Sequence, residues 1–136
     1  MSAASGAGEE LLAAAGSAAE NAYAPYSNFR VGAALQTAEG SVVTGCNVEN
    51  ASYGLAICAE RNAVAAMVAA SAVDRSVIKV AVVSPDAAPC FPCGACRQVL
   101  REFGCTEVIV EEDGKMRSYR FEDLLPHSFG PEDLHR

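Results

Sequence analysis

The sequence is short of positive charge, of long apolar runs and of histidine, and each shortage narrows what the chain can be. Its 136 residues carry 10 Lys and Arg against 17 Asp and Glu, a net charge of −7. A protein that grips DNA or RNA displaces counterions with a basic face, so this balance argues against a nucleic-acid substrate. Hydrophobic residues make up 51% of the chain, yet no apolar run is long enough to span a bilayer. The first eight residues, Met1 to Gly8, are small and uncharged, and no basic region leads into an apolar segment. They are expected to be a flexible N-terminus and not a secretion signal, so a cytoplasmic protein is expected. Both histidines, His127 and His135, fall near the C-terminus and read as exposed tail residues.

Cysteine, by contrast, is plentiful. Six thiols (Cys46, Cys58, Cys90, Cys93, Cys96 and Cys105) are spaced too unevenly for a disulfide framework, which a cytoplasmic chain would not form in any case. Clustered cysteines read as metal ligands there. The isolated pair, Cys46 and Cys105, read as small core residues.

The length fits one domain, 1–136, with a core that needs no covalent support. A first helix is predicted from about Gly8 to Tyr23, with Glu9 and Glu10 near its positive end and Pro25 beyond it. Arg30–Thr37 and Ser41–Val48 read as strands joined across Ala38-Glu39-Gly40. Cys58–Ala70 lacks Gly and Pro and repeats Ala63, Val64, Met67 and Val68 at helical spacing, predicting a second helix. Val77–Val83, apolar except for Lys79, reads as an interior strand. A third helix should open at Pro92 and stop at Gly104. Glu107–Val110 and Met116–Phe121 complete the strands, with Asp113-Gly114 turning between them. Helices interleaved with strands define an α/β fold: a single layered α/β/α domain on a mixed five-stranded sheet, followed by a tail from residue 122.

Pro92-Cys93-Gly94-Ala95-Cys96 places two thiols at the opening of a helix, and Cys58 opens another. The positive end of a helix dipole lowers the cost of ionising a thiol. Three protein ligands around zinc leave a fourth position for water, the pattern of a catalytic site. Cys90 competes for the same ion, and its recruitment would close the site as four structural thiolates. Three thiolates leave the site anionic, and Arg61 and Arg97, each directly following a key residue, can donate to sulfur as charge compensation. Glu60 offers a carboxylate beside the metal that can carry a proton from water to a ring nitrogen or a departing amine.

Cys58-Ala59-Glu60 followed by Pro92-Cys93-Gly94-Ala95-Cys96-Arg97-Gln98 resembles the zinc deaminases. Tyr26-Ser27-Asn28-Phe29-Arg30-Val31-Gly32-Ala33-Ala34 and Gly45-Cys46-Asn47-Val48-Glu49-Asn50 resemble the small, free-nucleoside cytidine deaminases, over residues 20 to 134. The resemblance implies a cytidine deaminase-like fold and zinc-dependent conversion of cytidine or deoxycytidine to uridine or deoxyuridine, with release of ammonia, in pyrimidine salvage. Cys58, Cys93 and Cys96 would hold one zinc per subunit, with Glu60 as catalytic acid and base. Phe29, Asn47, Glu49 and Ala59 would bind the nucleoside. Tyr53 and Phe129 would enter a neighbouring subunit's site, making a homotetramer with the tail, 122–136, at a subunit interface. Cysteine stands where the general deaminase signature has histidine, and the short linker between the metal motifs leaves little room for a nucleic-acid-binding insertion. Two other readings stand beside this one: a deaminase of a larger aminopyrimidine nucleoside such as blasticidin S, and a structural zinc module with four protein ligands.

Overall fold

A computed structural model describes residues 3–134. Five strands form one mixed sheet in the order β2-β1-β3-β4-β5, with β1 at Gly32–Thr37, β2 at Val42–Cys46, β3 at Val77–Val83, β4 at Glu107–Glu112 and β5 at Lys115–Arg120. Within this sheet of the described residues β3 and β4 pair parallel and the other neighbours antiparallel, and the helix α3, Gly94–Glu102, lies in the crossover that joins β3 to β4. The hairpin turns lie where glycine permits left-handed backbone: Gly40 has φ +92°, and the Asp113-Gly114 pair has φ +54° and +73°.

Alternation along the inner strands builds two apolar layers. Ala33 and Leu35 of β1, Val80 and Val82 of β3, and Val108 and Val110 of β4 face α2, Ala59–Ala70, and α3. The intervening Ala34, Ala81 and Ile109 face the opposite way, onto Leu11 and Ala15 of α1, Ala3–Ala19. The layered α/β/α reading and its five strands are therefore as expected, with β3 central. Among the described residues no helix is long and apolar enough to cross a membrane.

Two glycines set how closely the helices approach the sheet. A Cβ on Gly32 would fall 1.9 Å from the Ala15 carbonyl oxygen, and one on Gly45 would fall 2.5 Å from the Ala63 nitrogen. Helix α1 thus rests directly on β1, and α2 directly on β2.

Several boundaries differ from the sequence reading. Helix α1 takes in residues 3–8, which were expected to be flexible; residues 1 and 2 lie outside the described residues. Glu9 and Glu10 consequently sit mid-helix and not in its first turn. The helix also ends at Ala19, because Tyr23 pairs elsewhere: its N–H donates to Asn47 O at 3.0 Å, and its carbonyl accepts from Glu49 N–H at 2.8 Å. The tail after β5 is ordered, with a short helix α4, Phe121–Leu124, and a 3₁₀ turn at Pro131–Asp133. His127 is exposed as expected, and His135 lies outside the described residues.

The register explains where chemistry collects. Gly32 at the start of β1 pairs with Cys46 at the end of β2 and with Val83 at the end of β3. The loops leaving these three points, which carry residues 27–31, 47–58 and 84–93, therefore emerge at one edge of the sheet.

Candidate active site

Cys58 and Cys93 are the N-cap residues of α2 and α3, each in extended backbone, and Cys96 lies in the first turn of α3. Pro92 falls ahead of its helix, which opens two residues later than expected, at Gly94. The three sulfurs lie within 4.8 Å of one another, with Cys58–Cys93 at 3.9 Å and Cys93–Cys96 at 3.5 Å. Sulfurs bound tetrahedrally at zinc–sulfur distances of about 2.3 Å would stand about 3.8 Å apart, so the cluster fits one zinc ion with a fourth position free. Cys90 is half-buried nearby but is not part of this group, and burial pushes its thiol up to about 11.

The thiols are unequal. Cys58 is lowered to about 5, first by its hydrogen bond with Cys96 and then by Arg61, whose Nη2 donates to its Sγ at 3.5 Å. Buried Cys96 is pushed up by the same hydrogen bond, which it donates as Cys58 accepts. Arg61 therefore lies against the sulfur of Cys58. Arg97 does not: its Nε donates to Pro92 O and its Nη1 to Leu124 O, both at 2.7 Å, because the helix turns its side chain toward the C-terminal segment.

Glu60 follows Cys58 by two residues in the first turn of α2 and is only 4% exposed. Burial raises its carboxyl from the ordinary value of 4.5 to about 7, and the negative charge on Cys58 adds to the effect. An acid poised near neutrality can both accept and return a proton.

A recess of about 340 Å³ opens over this cluster, lined by Phe29, Asn47, Glu49, Cys58, Ala59, Glu60 and Cys93 among others. It brings together residues from all three loops. Asn47 anchors the Phe29 loop: its Nδ2 donates to Phe29 O and its Oδ1 accepts from Val31 N–H, each at 2.8 Å. Glu49 accepts from the backbone N–H groups of Tyr26 at 3.0 Å and Ser27 at 3.1 Å, and from the Ser27 hydroxyl. The Ser27 hydroxyl holds the Glu49 carboxyl below its ordinary value, so the group is an ionised, fixed acceptor. Arg30 is tied from the other side, its backbone N–H donating to Asp86 at 2.8 Å and its guanidinium pairing with the same carboxylate.

Tyr53 and Phe129 are not brought into the recess. Tyr53, 74% exposed, lines an adjoining hollow of about 270 Å³ with Tyr26, and their ring centroids are 5.7 Å apart. Phe129 is 58% exposed, its carbonyl accepting from Gln98 of α3. A wider concavity of about 890 Å³, between Arg101, Arg120 and the 125–128 segment, holds none of the candidate residues.

Sequence reasoning passed over Ser27, Val31, Phe91 and Asn62. Ser27 lies inside the Tyr26–Ala34 motif, where a small hydroxyl two residues before Phe29 is the available signal. Asn62 Nδ2 donates to Cys46 O at 2.8 Å and pins α2 to the end of β2, next to Asn47. Val31 and Phe91 are wall residues with no polar signature. Of the two isolated thiols, Cys105 is buried and raised to about 12 by that burial, as a core residue should be, while Cys46 is only half-buried.

A buried, near-neutral carboxyl beside a three-thiolate zinc position, on a five-stranded α/β/α sheet, defines a zinc hydrolase site that can activate water. Comparison with known proteins makes the class specific. The model for the cytidine and deoxycytidylate deaminase zinc-binding region matches residues 6–112. Cytidine deaminase of Mycobacterium tuberculosis is 48% identical over 119 residues, 88% of this chain and 86% of the relative. That of Halalkalibacterium halodurans is 46% identical over 127 residues, 91% and 95% of the two chains. The crystal structure of cytidine deaminase from Burkholderia pseudomallei superposes with a TM-score of 0.80 at 50% identity, covering 89% of this chain and 98% of that one. The chain belongs to the cytidine and deoxycytidylate deaminase family.

Proposed function

We propose that this protein hydrolyses cytidine and 2'-deoxycytidine to uridine and 2'-deoxyuridine, releasing ammonia. The single observation that carries the reading is Glu60: a carboxyl buried beside three clustered thiols, with its proton affinity raised to about 7. Cys58, Cys93 and Cys96 would hold the zinc, whose Lewis acidity would make water a nucleophile near neutral pH. Glu60 is placed to take a proton from the attacking water, whose oxygen bonds to C4 of the base, and to pass that proton to N3. A second proton, taken from the new C4 hydroxyl, leaves with the amino group as the C4–N4 bond breaks. Water enters and ammonia departs, so the balance needs no other reactant.

Binding falls to the rest of the recess. The Phe29 ring packs on the base, while Asn47 and Glu49 receive the sugar hydroxyls. The Asn47 amide keeps one N–H and a lone pair beyond its two backbone bonds, and the fixed Glu49 carboxylate is an acceptor matched to an O–H donor. Ala59, small and buried, bounds the recess between Cys58 and Glu60. Residues 1–136 act as one cytoplasmic domain. Tyr53 and Phe129, both exposed and outside their own chain's recess, complete neighbouring sites in a homotetramer, with the C-terminal segment at the interface.

The test is incubation with cytidine and with deoxycytidine, following the fall in cytosine absorbance and the ammonia released. Intact substrates in the presence of stoichiometric zinc would sink the reading. Deleting the residues after Pro126 tests the assembly: weaker association or nucleoside binding is expected, and an unaffected tetramer with unchanged kinetics would remove the shared-site arrangement.

A further inference from the structure

Beyond its two thiols, α3 carries a row of polar side chains that all grip one segment. Arg97 Nη1 reaches Leu124 O, and Gln98 Nε2 donates to Phe129 O at 2.9 Å. Arg101 Nε donates to Ser128 Oγ at 2.9 Å, and its guanidinium pairs with Glu132. One helix therefore holds metal ligands at its start and the segment 124–132 along its side.

We propose that Arg97 is a positioning residue that makes zinc binding and the docking of the C-terminal segment depend on each other. Its guanidinium joins Pro92 O, immediately ahead of the ligand Cys93, to Leu124 O, the last carbonyl of α4. The Pro92 carbonyl and the Cys93 nitrogen share one planar peptide, so holding that oxygen fixes the plane from which the ligand side chain springs. Guanidinium donors are set in a rigid fork, and two bonds of 2.7 Å leave little room for one carbonyl to move without the other. Linkage then requires that whatever factor the docked segment adds to metal affinity, the metal returns to docking.

The inference rests on Cys58, Cys93 and Cys96 holding zinc, which metal analysis of the purified protein establishes separately. Hydrogen exchange on the wild-type protein, with zinc and after its removal by chelator, is the first measurement. Amides of 121–132 should exchange about 5-fold faster or more without the metal, the lower end of ordinary coupling between sites. The second is zinc transfer to a chromogenic chelator: Arg97→Gln should accelerate it by a similar factor, and Arg97→Lys, one ammonium in place of a fork, should recover only part. In Arg97→Gln the exchange of 121–132 should no longer respond to zinc, an effect that simple loss of stability does not produce. Tail exchange indifferent to zinc in the wild-type protein overturns the proposal even if the variants fail to fold. Unchanged zinc transfer in a folded Arg97→Gln does so too. A chain that takes up no zinc overturns the metal assignment and this coupling together.

Discussion

The hydroxyl of Ser27 donates to the carboxylate of Glu49, and the same oxygen accepts from Phe29 N–H at 3.0 Å. One small side chain thus joins the acceptor proposed for the sugar to the ring proposed for the base. Ser27→Ala leaves Glu49 its two backbone donors but frees one oxygen to turn. The KM for cytidine should rise about tenfold, the equivalent of about 1.4 kcal/mol, with kcat changed far less. Steady-state kinetics check this, and an unchanged KM would remove Ser27 from the binding apparatus.

Replacing Glu60 separates chemistry from metal binding. Glu60→Gln keeps shape and burial, so zinc content should stay stoichiometric while turnover drops at least a hundredfold, which is roughly the smallest loss expected of a positioned acid and base. Metal analysis and a cytidine assay on the same sample decide it, since retained turnover would end the proposed role. The same substitution has a pH signature in zinc-free protein. Because burial raises the Glu60 carboxyl from 4.5 to about 7, its ionisation opposes folding: the penalty is absent below 4.5 and complete above about 7. Wild type and variant should melt alike at pH 4.5, and by pH 8 the variant should be the more stable by about 3 kcal/mol.

Cys90 lines the recess but stands apart from the three-sulfur group. Cys90→Ser should retain zinc and activity within about twofold, because a thiol held up to about 11 is a poor source of thiolate. Loss of zinc from this variant would restore the four-thiolate, structural reading.

Gly45→Ala probes the contact that seats α2. The added methyl would meet backbone at 2.5 Å from Ala63 N and 2.7 Å from Ala59 O, and backbone cannot swing aside as a side chain can. Destabilisation of about 3 kcal/mol is expected, the upper range for overpacking, together with weaker zinc retention as Cys58 moves with its helix. Thermal melting with and without zinc reads both effects.

The fold was legible because its signals are local. The Val77–Val83 run, the Asp113-Gly114 turn and the Gly104 stop with φ +77° each announce themselves within a few residues. Helix α1 was misplaced at both ends, since Ala and Gly at its start give no capping signal and its exit is decided by Tyr23 pairing with a segment over twenty residues away. The three thiols that cluster, and Glu60 beside them, were visible through residue type and spacing. The direction of Arg97 was not legible beside that of Arg61, because adjacency to a ligand in sequence says nothing about which way a helix turns a side chain. Ser27 and Asn62 escaped for a related reason: their partners, Glu49 and the Cys46 carbonyl, are defined only once β1 and β2 are in register.

Helices α2 and α3 both begin on a cysteine that makes no side-chain capping bond. Serine or aspartate in those two places would stabilise each helix by about 1 kcal/mol. The chain therefore forgoes about 2 kcal/mol of secondary-structure stability at the two positions where its metal must be gripped. A screen for thermal robustness in metal-free medium would reward substitutions at Cys58 and Cys93, and every such winner would be a sturdier protein unable to hold its ion.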